Sequence, residues 1–295
     1  MEKAPIKLSP VVWGHWRLPE WNLTSREIIN LTLQCIDLGV TTIDSADIYG
    51  DYSCEKLFGD ALALDPAVRN QIQIITKCGI RLISGKFPEV TVKHYDYSYN
   101  HIVSSVETSL KNFRTDHIDL LLLHRPSPLL NPSEIALAFN HLHSTGKVLH
   151  FGVSNFLPHQ VELLQSFTPI PLVANQIEIS PLQVEHLQNG NLDYMMQKHI
   201  IPMAWSPLGG GRLLSPKNDT DKRVSKVIHK IAKETSLLPE QVAISWLTTH
   251  PSAIIPVVGS GKFERIKNAY YALNTKLSTQ QWFEVYSASI GEDVP

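Results

Sequence analysis

Three ionisable side chains stand directly after apolar segments of the kind that form buried strands. Asp44 follows Thr-Thr-Ile, Lys77 follows Gln-Ile-Gln-Ile-Ile-Thr, and His124 follows four leucines. Tyr49 lies five residues beyond Asp44, in the short sequence Asp-Ile-Tyr-Gly. Because buried ionisable groups need partners, we expect these four side chains to meet at one place. A carboxylate, an ammonium, an imidazole and a phenol in contact are suited to proton transfer.

The expected chemistry is the delivery of a proton to a carbonyl oxygen. A phenol has an ordinary pKa of about 10 and is a poor acid at neutral pH, but a nearby ammonium stabilises the phenolate. We therefore expect Lys77 to lower the pKa of Tyr49, while Asp44 holds the lysine charged and oriented. His124 is placed to hydrogen-bond the substrate oxygen. No side chain donates a hydride, so reduction of the carbonyl carbon requires a cofactor.

The same residues have other interpretations. Taken singly, Asp44 is typical of a helix cap, Lys77 of the surface and Tyr49 of packing, and His124 is one of 13 histidines. A Schiff-base enzyme such as an aldolase would use Lys77 as an amine nucleophile, which requires a lowered pKa. The neighbouring Asp44 opposes this chemistry because a carboxylate keeps a lysine protonated.

The elements that must position these residues alternate along the whole chain. Strands are predicted at 11–13, 40–45, 71–77, 118–124, 149–154, 172–176, 200–205 and 253–257, each followed by an amphipathic segment. Several are apolar almost throughout, which is typical of strands buried on both faces of a parallel sheet. Helix starts are predicted at Ser25, at Ser53 and at Asn131 with Pro132.

Eight strand–helix units in one uninterrupted series predict a (β/α)8 barrel, a single α/β domain over residues 1–295. The alternative, a doubly wound sheet, would need a Gly-x-Gly-x-x-Gly turn after an early strand to bind a dinucleotide. The nearest match begins at Gly259, late in the chain, and has Glu264 where glycine is required. The least regular segments, 79–97 and 274–295, are predicted to form a long loop after the third strand and a C-terminal tail over the active face.

The composition is typical of a globular protein and argues against several classes. Of 295 residues 43% are hydrophobic, and 26 Lys and Arg against 28 Asp and Glu give a net charge of −2, so nucleic acid is not an expected partner. The sequence has no membrane-length apolar run, and MEKAPIKLSP lacks a secretory h-region. Cys35, Cys54 and Cys78 have no C-x-x-C spacing, so we expect neither a disulfide framework nor a metal site. We expect a cytoplasmic protein, and the oligomeric state stays open.

Six short motifs, in order, resemble those of the aldo-keto reductases. They are Asp-Ser-Ala-Asp-Ile-Tyr-Gly from Asp44, Ile-Thr-Lys ending at Lys77, Leu-Leu-Leu-Leu-His-Arg-Pro around His124, Gly-Val-Ser-Asn-Phe from Gly152, Asn-Gln-Ile-Glu-Ile-Ser-Pro from Asn175 and Trp-Ser-Pro-Leu-Gly from Trp205. Their spacing is similar to that family over residues 13–270, and the chain most resembles the bacterial YdhF-like oxidoreductases. The resemblance implies a (β/α)8 barrel that reduces carbonyl compounds with NADPH. Tyr49 would be the proton donor, and Asp44, Lys77 and His124 would assist it.

The resemblance also implies the residues that hold the cofactor. Ser154, Asn155 and Gln176 would hydrogen-bond the nicotinamide carboxamide, and Trp205 would stack on the ring. The Gly-Ser-Gly-Lys turn precedes a predicted helix, and a helix N-terminus binds anions. The remaining cofactor residues, from the pyrophosphate through the 2′-phosphate to the adenine, would be Ser206, Pro207, Leu208, Gly209, Gly211, Ser260, Lys262, Arg265 and Asn268.

The chain departs from the family pattern at two places. Gly14-His15-Trp16 stands where Gly-Thr-Trp is frequent, and Lys267-Asn268 stands where a Glu-Asn pair is common. Trp16, Trp21 and Arg125 are predicted to line the pocket of a small carbonyl substrate. Some members of the family are non-catalytic subunits that bind NADPH and report redox state, and the same motifs are compatible with that use.

Overall fold

The computed structural model describes residues 6–294. Residues 1–5 and 295 lie outside the described part, and with them the first half of the MEKAPIKLSP segment and the last residue of the predicted domain and tail. The strands of the described part are β1 (Val12–Gly14), β2 (Thr42–Asp44), β3 (Gln73–Cys78), β4 (Ile80–Arg81), β5 (His94–Tyr95), β6 (Ile118–Leu123), β7 (Val148–Ser154), β8 (Leu172–Glu178), β9 (Ile201–Trp205) and β10 (Ile255–Val258).

Eight of these strands close into a parallel barrel, in the order β1-β10-β9-β8-β7-β6-β3-β2. The pairs on either side of β1 place Val12 beside Val257 and Gly14 beside Asp44. Each of the eight predicted strands is present. The first and last residues of each strand lie within two residues of the predicted bounds; β2, for example, begins at Thr42 instead of residue 40. The prediction of a (β/α)8 barrel is therefore confirmed.

Helices surround the barrel. They are α1 (Ser25–Leu38), α2 (Tyr49–Tyr52), α3 (Cys54–Leu62), α4 (Tyr99–Phe113), α5 (Pro132–Ser144), α6 (Pro158–Gln165), α7 (Asn191–Lys198), α8 (Asp219–Thr235), α9 (Pro239–Thr249), α10 (Phe263–Ala272) and α11 (Thr279–Ile290). The predicted start at Ser25 is confirmed, and Thr24 caps α1 through a capping box. Asn131 caps α5 as predicted, whereas the Ser53 side chain makes no capping hydrogen bond to α3. No helix within residues 6–294 is long and apolar enough to cross a membrane.

The apolar strands have two buried faces because the barrel has a core on each side of its sheet. Leu120 and Leu122 of β6 belong to the cluster inside the barrel. Leu121 and Leu123 of the same strand belong to the larger cluster between the sheet and the helices. Successive side chains of a strand point to opposite faces, so this alternation needs apolar residues at every position. The polar residues that end the strands therefore lie at the rim formed by the C-terminal ends of the barrel strands.

The segment 79–97 contains a small antiparallel pair that the sequence did not predict. Ile80 of β4 pairs with Tyr95 of β5. Gly79 has a φ of +105°, and a Cβ at this position would lie 1.9 Å from a ring carbon of Tyr97. Glycine therefore allows the Tyr97 ring to pack directly against the chain where it leaves β3. The backbone N–H of Leu82 donates to the hydroxyl of Tyr52 at 2.9 Å, which attaches the loop to the end of α2.

The C-terminal segment lies elsewhere than predicted. Helix α11 follows Ser278, which caps it, and packs along the outside of the barrel. Trp282 of α11 stacks on Trp246 of α9 at 5.1 Å, and the Ser289 hydroxyl donates to the carbonyl of Pro181 at 2.6 Å. None of residues 274–294 lines the large cavity at the C-terminal ends of the strands. The apolar face of α11 is buried against the flank of the barrel, so this segment does not cover the active face.

Candidate active site

A cavity of about 1030 Å³ opens at the C-terminal ends of the barrel strands. Its wall contains most of the side chains that the sequence singled out. They are Trp16, Asp44, Tyr49, His124, Arg125, Ser154, Asn155, Gln176, Trp205, Ser206, Pro207, Leu208, Gly209, Gly211, Ser260 and Arg265. Lys77, Lys262, Asn268 and Trp21 do not line it.

Lys77 lies buried behind the cavity wall and joins two of the lining residues. Its Nζ donates to both carboxylate oxygens of Asp44, at 2.8 and 2.9 Å, and to the backbone carbonyl of Ser45 at 2.8 Å. It also lies 3.0 Å from the hydroxyl oxygen of Tyr49. The barrel brings these groups together because β2 and β3 are adjacent and both end at this rim. The predicted convergence of Asp44, Lys77 and Tyr49 is therefore observed.

The environment of Lys77 keeps its ammonium charged. Burial alone lowers the pKa of Lys77, but the charges of Asp44 and Tyr49 and the hydrogen bonds to them outweigh burial, so its pKa lies above the ordinary value. A Schiff-base mechanism needs a neutral amine. The structure therefore disfavours the aldolase alternative.

Tyr49 differs from the expectation in the direction of its pKa. Burial of the phenol raises the pKa of Tyr49 and outweighs the nearby Lys77 ammonium, which lowers it; the Asp44 carboxylate adds to the rise. The expectation of a lowered pKa was wrong because it weighed the ammonium without the burial. A buried neutral phenol is a proton donor that keeps its proton until a base forms beside it.

His124 completes the set opposite Tyr49, with the two ring centroids 5.7 Å apart. Burial lowers the pKa of His124 well below its ordinary value, and the positive charges of Lys77, Arg125 and Lys93 lower it further. The imidazole is therefore neutral. Its Nδ1 is buried and has no hydrogen-bond partner among the described residues, so Nε2 is the nitrogen left to face a bound molecule.

A chain of hydrogen bonds links the indole of Trp205 to Asp44. The indole N–H donates to Asn155 Oδ1 at 2.9 Å, Asn155 Nδ2 donates to Ser154 Oγ at 2.8 Å, and Ser154 Oγ donates to the Gln176 carbonyl at 2.9 Å. The Gln176 side-chain amide then donates to Asp44 Oδ1 at 2.8 Å. The plane of Trp205 and the orientation of Asp44 are thus fixed through one network.

This network leaves one acceptor and one donor for a ligand. Oε1 of Gln176 and the second N–H of Asn155 make no hydrogen bond within the described residues. An acceptor beside a donor is the complement of a primary carboxamide. The hydroxyl of Ser154 already donates to the protein, so it is left with acceptor capacity. Next to the ring of Trp205, this donor set fits the predicted nicotinamide.

The loop after β9 has a backbone suited to close approach. Ser206 and Gly209–Gly211 all have positive φ. Gly209 has a φ of +59°, and a Cβ there would lie 2.7 Å from Cδ1 of Leu182, so a larger residue would strain the backbone and displace that side chain. Arg212 also lines the cavity and is held by Asp221, with NH1 2.9 Å from Oδ1. Sequence reasoning overlooked Arg212, although its place directly after the glycine run was a signal.

Ser260 and the start of α10 form the next part of the wall. The carbonyl of Ser260 accepts from the indole N–H of Trp13 at 2.9 Å, which attaches the turn to the barrel core. Arg265, in the first turn of α10, reaches the cavity. Lys262 is exposed at the N-cap of α10 and is not part of the lining.

At the far end of the cavity the structure differs from the prediction for Asn268. Its side chain turns away from the lining and donates to Glu240 Oε1 at 3.4 Å. Glu240, in the first turn of α9, lines the cavity instead. Lys267 forms an ion pair with Glu264 at 3.5 Å. Residue 267 is a lysine where the family commonly has glutamate, but a carboxylate still lies beside Asn268. This carboxylate belongs to Glu240 of α9.

The opposite end contains the predicted substrate residues, with one correction. Trp16 is 60% exposed and lines the cavity, and Arg125 places its guanidinium carbon 5.3 Å from the ring centroid of Trp205. Trp21 stacks on Trp13 at 5.8 Å and against Gly261, so it is partly buried against the core and does not line the cavity. Further lining residues here that sequence reasoning did not assign are Arg17, Asp51, Leu82, Lys93 and Glu178.

Two carboxyl groups lie close to the site but outside the cavity. Burial raises the pKa of Asp47 to about 8, and the nearby Glu55 raises it as well. Asp47 accepts hydrogen bonds from the Ser105 hydroxyl at 2.9 Å and from the backbone of Ile48 at 2.7 Å. Burial also raises the pKa of Glu55, which accepts from Thr76 at 2.6 Å. Asp47 is therefore predominantly protonated at neutral pH.

Comparison with known proteins identifies the family of the chain. The model of the Aldo/keto reductase family matches residues 10–290. The chain belongs to the aldo/keto reductase family. This is a family of oxidoreductases that use a nicotinamide cofactor, and the resemblance inferred from the six motifs is confirmed.

Similar members of the aldo/keto reductase family include two bacterial oxidoreductases. The chain is 48% identical over 291 residues to the uncharacterized oxidoreductase YcsN of Bacillus subtilis, covering 98% of this chain and 97% of the relative. It is 46% identical over 290 residues to the oxidoreductase YdhF of Escherichia coli, covering 98% and 96%. A 6-dehydroglucose reductase of Agrobacterium fabrum is 43% identical over 290 residues, covering 98% and 97%.

The barrel also resembles that of a solved family member. A thermostable aldo-keto reductase crystallised with the inhibitor epalrestat superposes with a TM-score of 0.80 and 23% identity, covering 98% of both chains. This similarity supports the fold. Within residues 6–294 of the chain, no group of three or more His, Cys, Asp or Glu side chains is placed to hold a metal ion.

Proposed function

We propose that this aldo/keto reductase uses NADPH to reduce the carbonyl group of a small aldehyde or ketone to an alcohol, with Tyr49 as the proton donor. The observation that carries the proposal is the contact between the Tyr49 phenol and a buried, charged Lys77, 3.0 Å apart. Asp44 holds that lysine through both carboxylate oxygens. A buried ammonium beside a phenol has its greatest effect at the moment when the phenol loses its proton.

The proton moves from the Tyr49 hydroxyl to the carbonyl oxygen as that oxygen becomes negative. Lys77 stabilises the resulting tyrosinate, and its charge is already in place because Asp44 orients it. The neutral imidazole of His124 donates a hydrogen bond from Nε2 to the same oxygen. Because the pKa of His124 is lowered by burial, the imidazole does not compete with Tyr49 as the acid.

The cofactor residues follow from the donors and acceptors described above. When bound, NADPH supplies the hydride. Gln176 Oε1 and Asn155 Nδ2 would hold the carboxamide, while Trp205 would support the ring. We assign Arg265, which lines the cavity, to the 2′-phosphate, with Lys262 beside it at the start of α10. An anion at this position would also be stabilised by the helix N-terminus.

The substrate is proposed to be a small polar carbonyl compound. The similarity to a 6-dehydroglucose reductase at 43% identity supports a polar aldehyde, and the cavity wall beside Tyr49 contains several charged side chains. We further infer that residues 1–295 work as one domain in the cytoplasm, without nucleic acid as a partner.

The experiment that tests this function follows the loss of NADPH absorbance with the purified protein and a panel of aldehydes, ketones, quinones and dicarbonyls, including 6-dehydroglucose. We expect turnover with at least one class and the matching alcohol as product, identified by mass spectrometry. Tight NADPH binding without turnover of any member, in a protein that completes only one slow hydride transfer, would instead identify a redox-sensing subunit.

A further inference from the structure

Cationic side chains without acidic partners gather at the substrate end of the cavity. Arg17, Lys93 and Arg125 all line it, and none forms an ion pair with the residues that the structure describes. Lys93 and Arg125 are close enough to His124 for their charges to act on the imidazole. A positive field beside the reacting centre favours a negatively charged ligand.

Arg125 is the member of this group with a fixed position. Its backbone carbonyl accepts from the Tyr97 hydroxyl at 2.5 Å, and its backbone N–H donates to the same oxygen at 3.0 Å. Tyr97 is itself buried and packs against Gly79. The long loop after β3 thereby holds the residue that follows His124.

The guanidinium of Arg125 is half-buried and lacks an acceptor. It lies over the ring of Trp205, at 5.3 Å from the centroid, and its nitrogen atoms make no hydrogen bond within residues 6–294. Glu178 and Asp51 also line this end of the cavity, and neither is within ion-pair distance of Arg125. Burial raises the pKa of Glu178, and the charge of Arg125 opposes that rise, so Glu178 is the nearer of the two in its effect. The donors of this guanidinium face the cavity and are open to a ligand.

We propose that Arg125, assisted by Lys93, binds an oxyanion of the substrate, so that the preferred carbonyl compound has a carboxylate or phosphate a few bonds from its C=O group. This inference rests on the proposed carbonyl reduction and narrows its substrate class. The planar fork of arginine pairs with two oxygens of such a group, and a bidentate pair also fixes orientation. Since Arg125 directly follows His124, binding the anion would hold the carbonyl beside the proton donor.

The test compares two aldehydes of the same shape, 4-carboxybenzaldehyde, which is charged, and 4-nitrobenzaldehyde, which is neutral. We expect Arg125→Gln to lower kcat/KM for the charged aldehyde about tenfold or more beyond any loss with the neutral one, so the ratio of the two values is the readout. Arg125→Lys keeps the charge and loses the fork, so its loss should be intermediate. The matched control is Arg26→Gln, because Arg26 is exposed on α1 and does not line the cavity.

Binding without turnover gives a second readout. Calorimetric titration of benzoate into the protein should show weaker binding to Arg125→Gln and unchanged binding to Arg26→Gln. Equal losses for both aldehydes in Arg125→Gln, together with unchanged benzoate binding, would overturn the role of Arg125. Failure of the wild-type protein to reduce either aldehyde, with benzoate binding still dependent on Arg125, would instead count against the proposed reduction.

Discussion

Lys77 and Tyr49 meet with Nζ and Oη 3.0 Å apart, behind a cavity wall where the lysine is almost completely buried. In this contact the ammonium opposes the effect of burial on the phenol, because burial raises the pKa of Tyr49 and the ammonium lowers it. The net direction is upward. Tyr49 therefore stays protonated at neutral pH, and the ammonium of Lys77 is already placed to stabilise the tyrosinate that forms when Tyr49 donates its proton.

The first prediction is that Tyr49→Phe abolishes carbonyl reduction. The variant keeps the ring and loses only the hydroxyl that donates the proton, so kcat should fall by about three orders of magnitude or more. NADPH binding, measured by quenching of tryptophan fluorescence, should be nearly unchanged. Tyr271→Phe is the control, since Tyr271 is 47% exposed on α10. Near-normal turnover by Tyr49→Phe would remove Tyr49 as the donor.

The second prediction concerns the pH dependence of reduction. The acid form of Tyr49 is required, and its pKa lies above 10.0. His124 must be neutral, and its pKa lies well below 6.5. Neither group changes its protonation well inside these limits, so kcat for reduction should be flat from about pH 6.5 to about pH 9. The nearby carboxyl of Asp47, whose pKa is raised to about 8, titrates inside this window, so the profile is also measured with Asp47→Asn. An inflection that persists in this variant would contradict the protonation states assigned to Tyr49 and His124.

The barrel and the central polar residues could be predicted because their signals are local. The four consecutive leucines of β6, residues 120–123, require two buried faces, and the polar residue that ends each run must stand at the rim. Asp44, Lys77 and His124 were identified in this way. The structure then adds only that the carboxylate, ammonium and phenol are in direct contact.

Other features depended on packing between distant segments. The residues around Trp21 in the sequence do not indicate that its ring stacks on Trp13 instead of facing the cavity. Glu240 and Asn268 meet only because α9 and α10 are neighbours, so the carboxylate at that end of the site was missed. The direction of the Tyr49 pKa depended on the extent of burial, which spacing in the sequence does not give.

The third prediction concerns the link between Gln176 and Asp44, whose hydrogen bond is 2.8 Å long. Gln176→Ala removes both the proposed contact to the carboxamide and a donor to Asp44. We expect the Kd of NADPH to rise about tenfold, and kcat to stay low even at saturating NADPH. The control Gln188→Ala removes a hydrogen bond to Tyr286 on the outside of the barrel. Full recovery of kcat at saturating NADPH would show that Gln176 serves the cofactor alone.

The fourth prediction concerns the choice between NADPH and NADH. Arg265, in the first turn of α10, lines the cavity, whereas Lys262 at the N-cap does not. Arg265→Ala should therefore raise KM for NADPH about tenfold and leave KM for NADH unchanged, because NADH lacks the 2′-phosphate. Lys262→Ala should show the same pattern with a smaller effect. A parallel loss with both cofactors would place Arg265 away from the 2′-phosphate.

The fifth prediction concerns Asp47 and the free energy of unfolding. Its pKa is raised from 3.8 to about 8 in the folded protein, so the folded state keeps a proton that the unfolded state releases in this window. The stability from this group is complete below pH 3.8 and is lost as pH rises towards about 8, by about 1.4 kcal/mol per pH unit. Asp47→Asn cannot ionise, and its amide oxygen can still accept from the backbone of Ile48.

The Tm of Asp47→Asn relative to wild type should therefore increase as pH rises from 5 to 8, by several degrees if the shift in pKa is fully expressed. Glu55, which raises the pKa of Asp47, and Lys77, which lowers it, are unchanged in the variant, so the difference isolates one carboxyl group. Asp37→Asn is the matched control, because Asp37 is exposed on α1. Parallel plots of Tm against pH for wild type and Asp47→Asn over this range would mean that Asp47 is ionised in the folded protein, which would contradict the prediction.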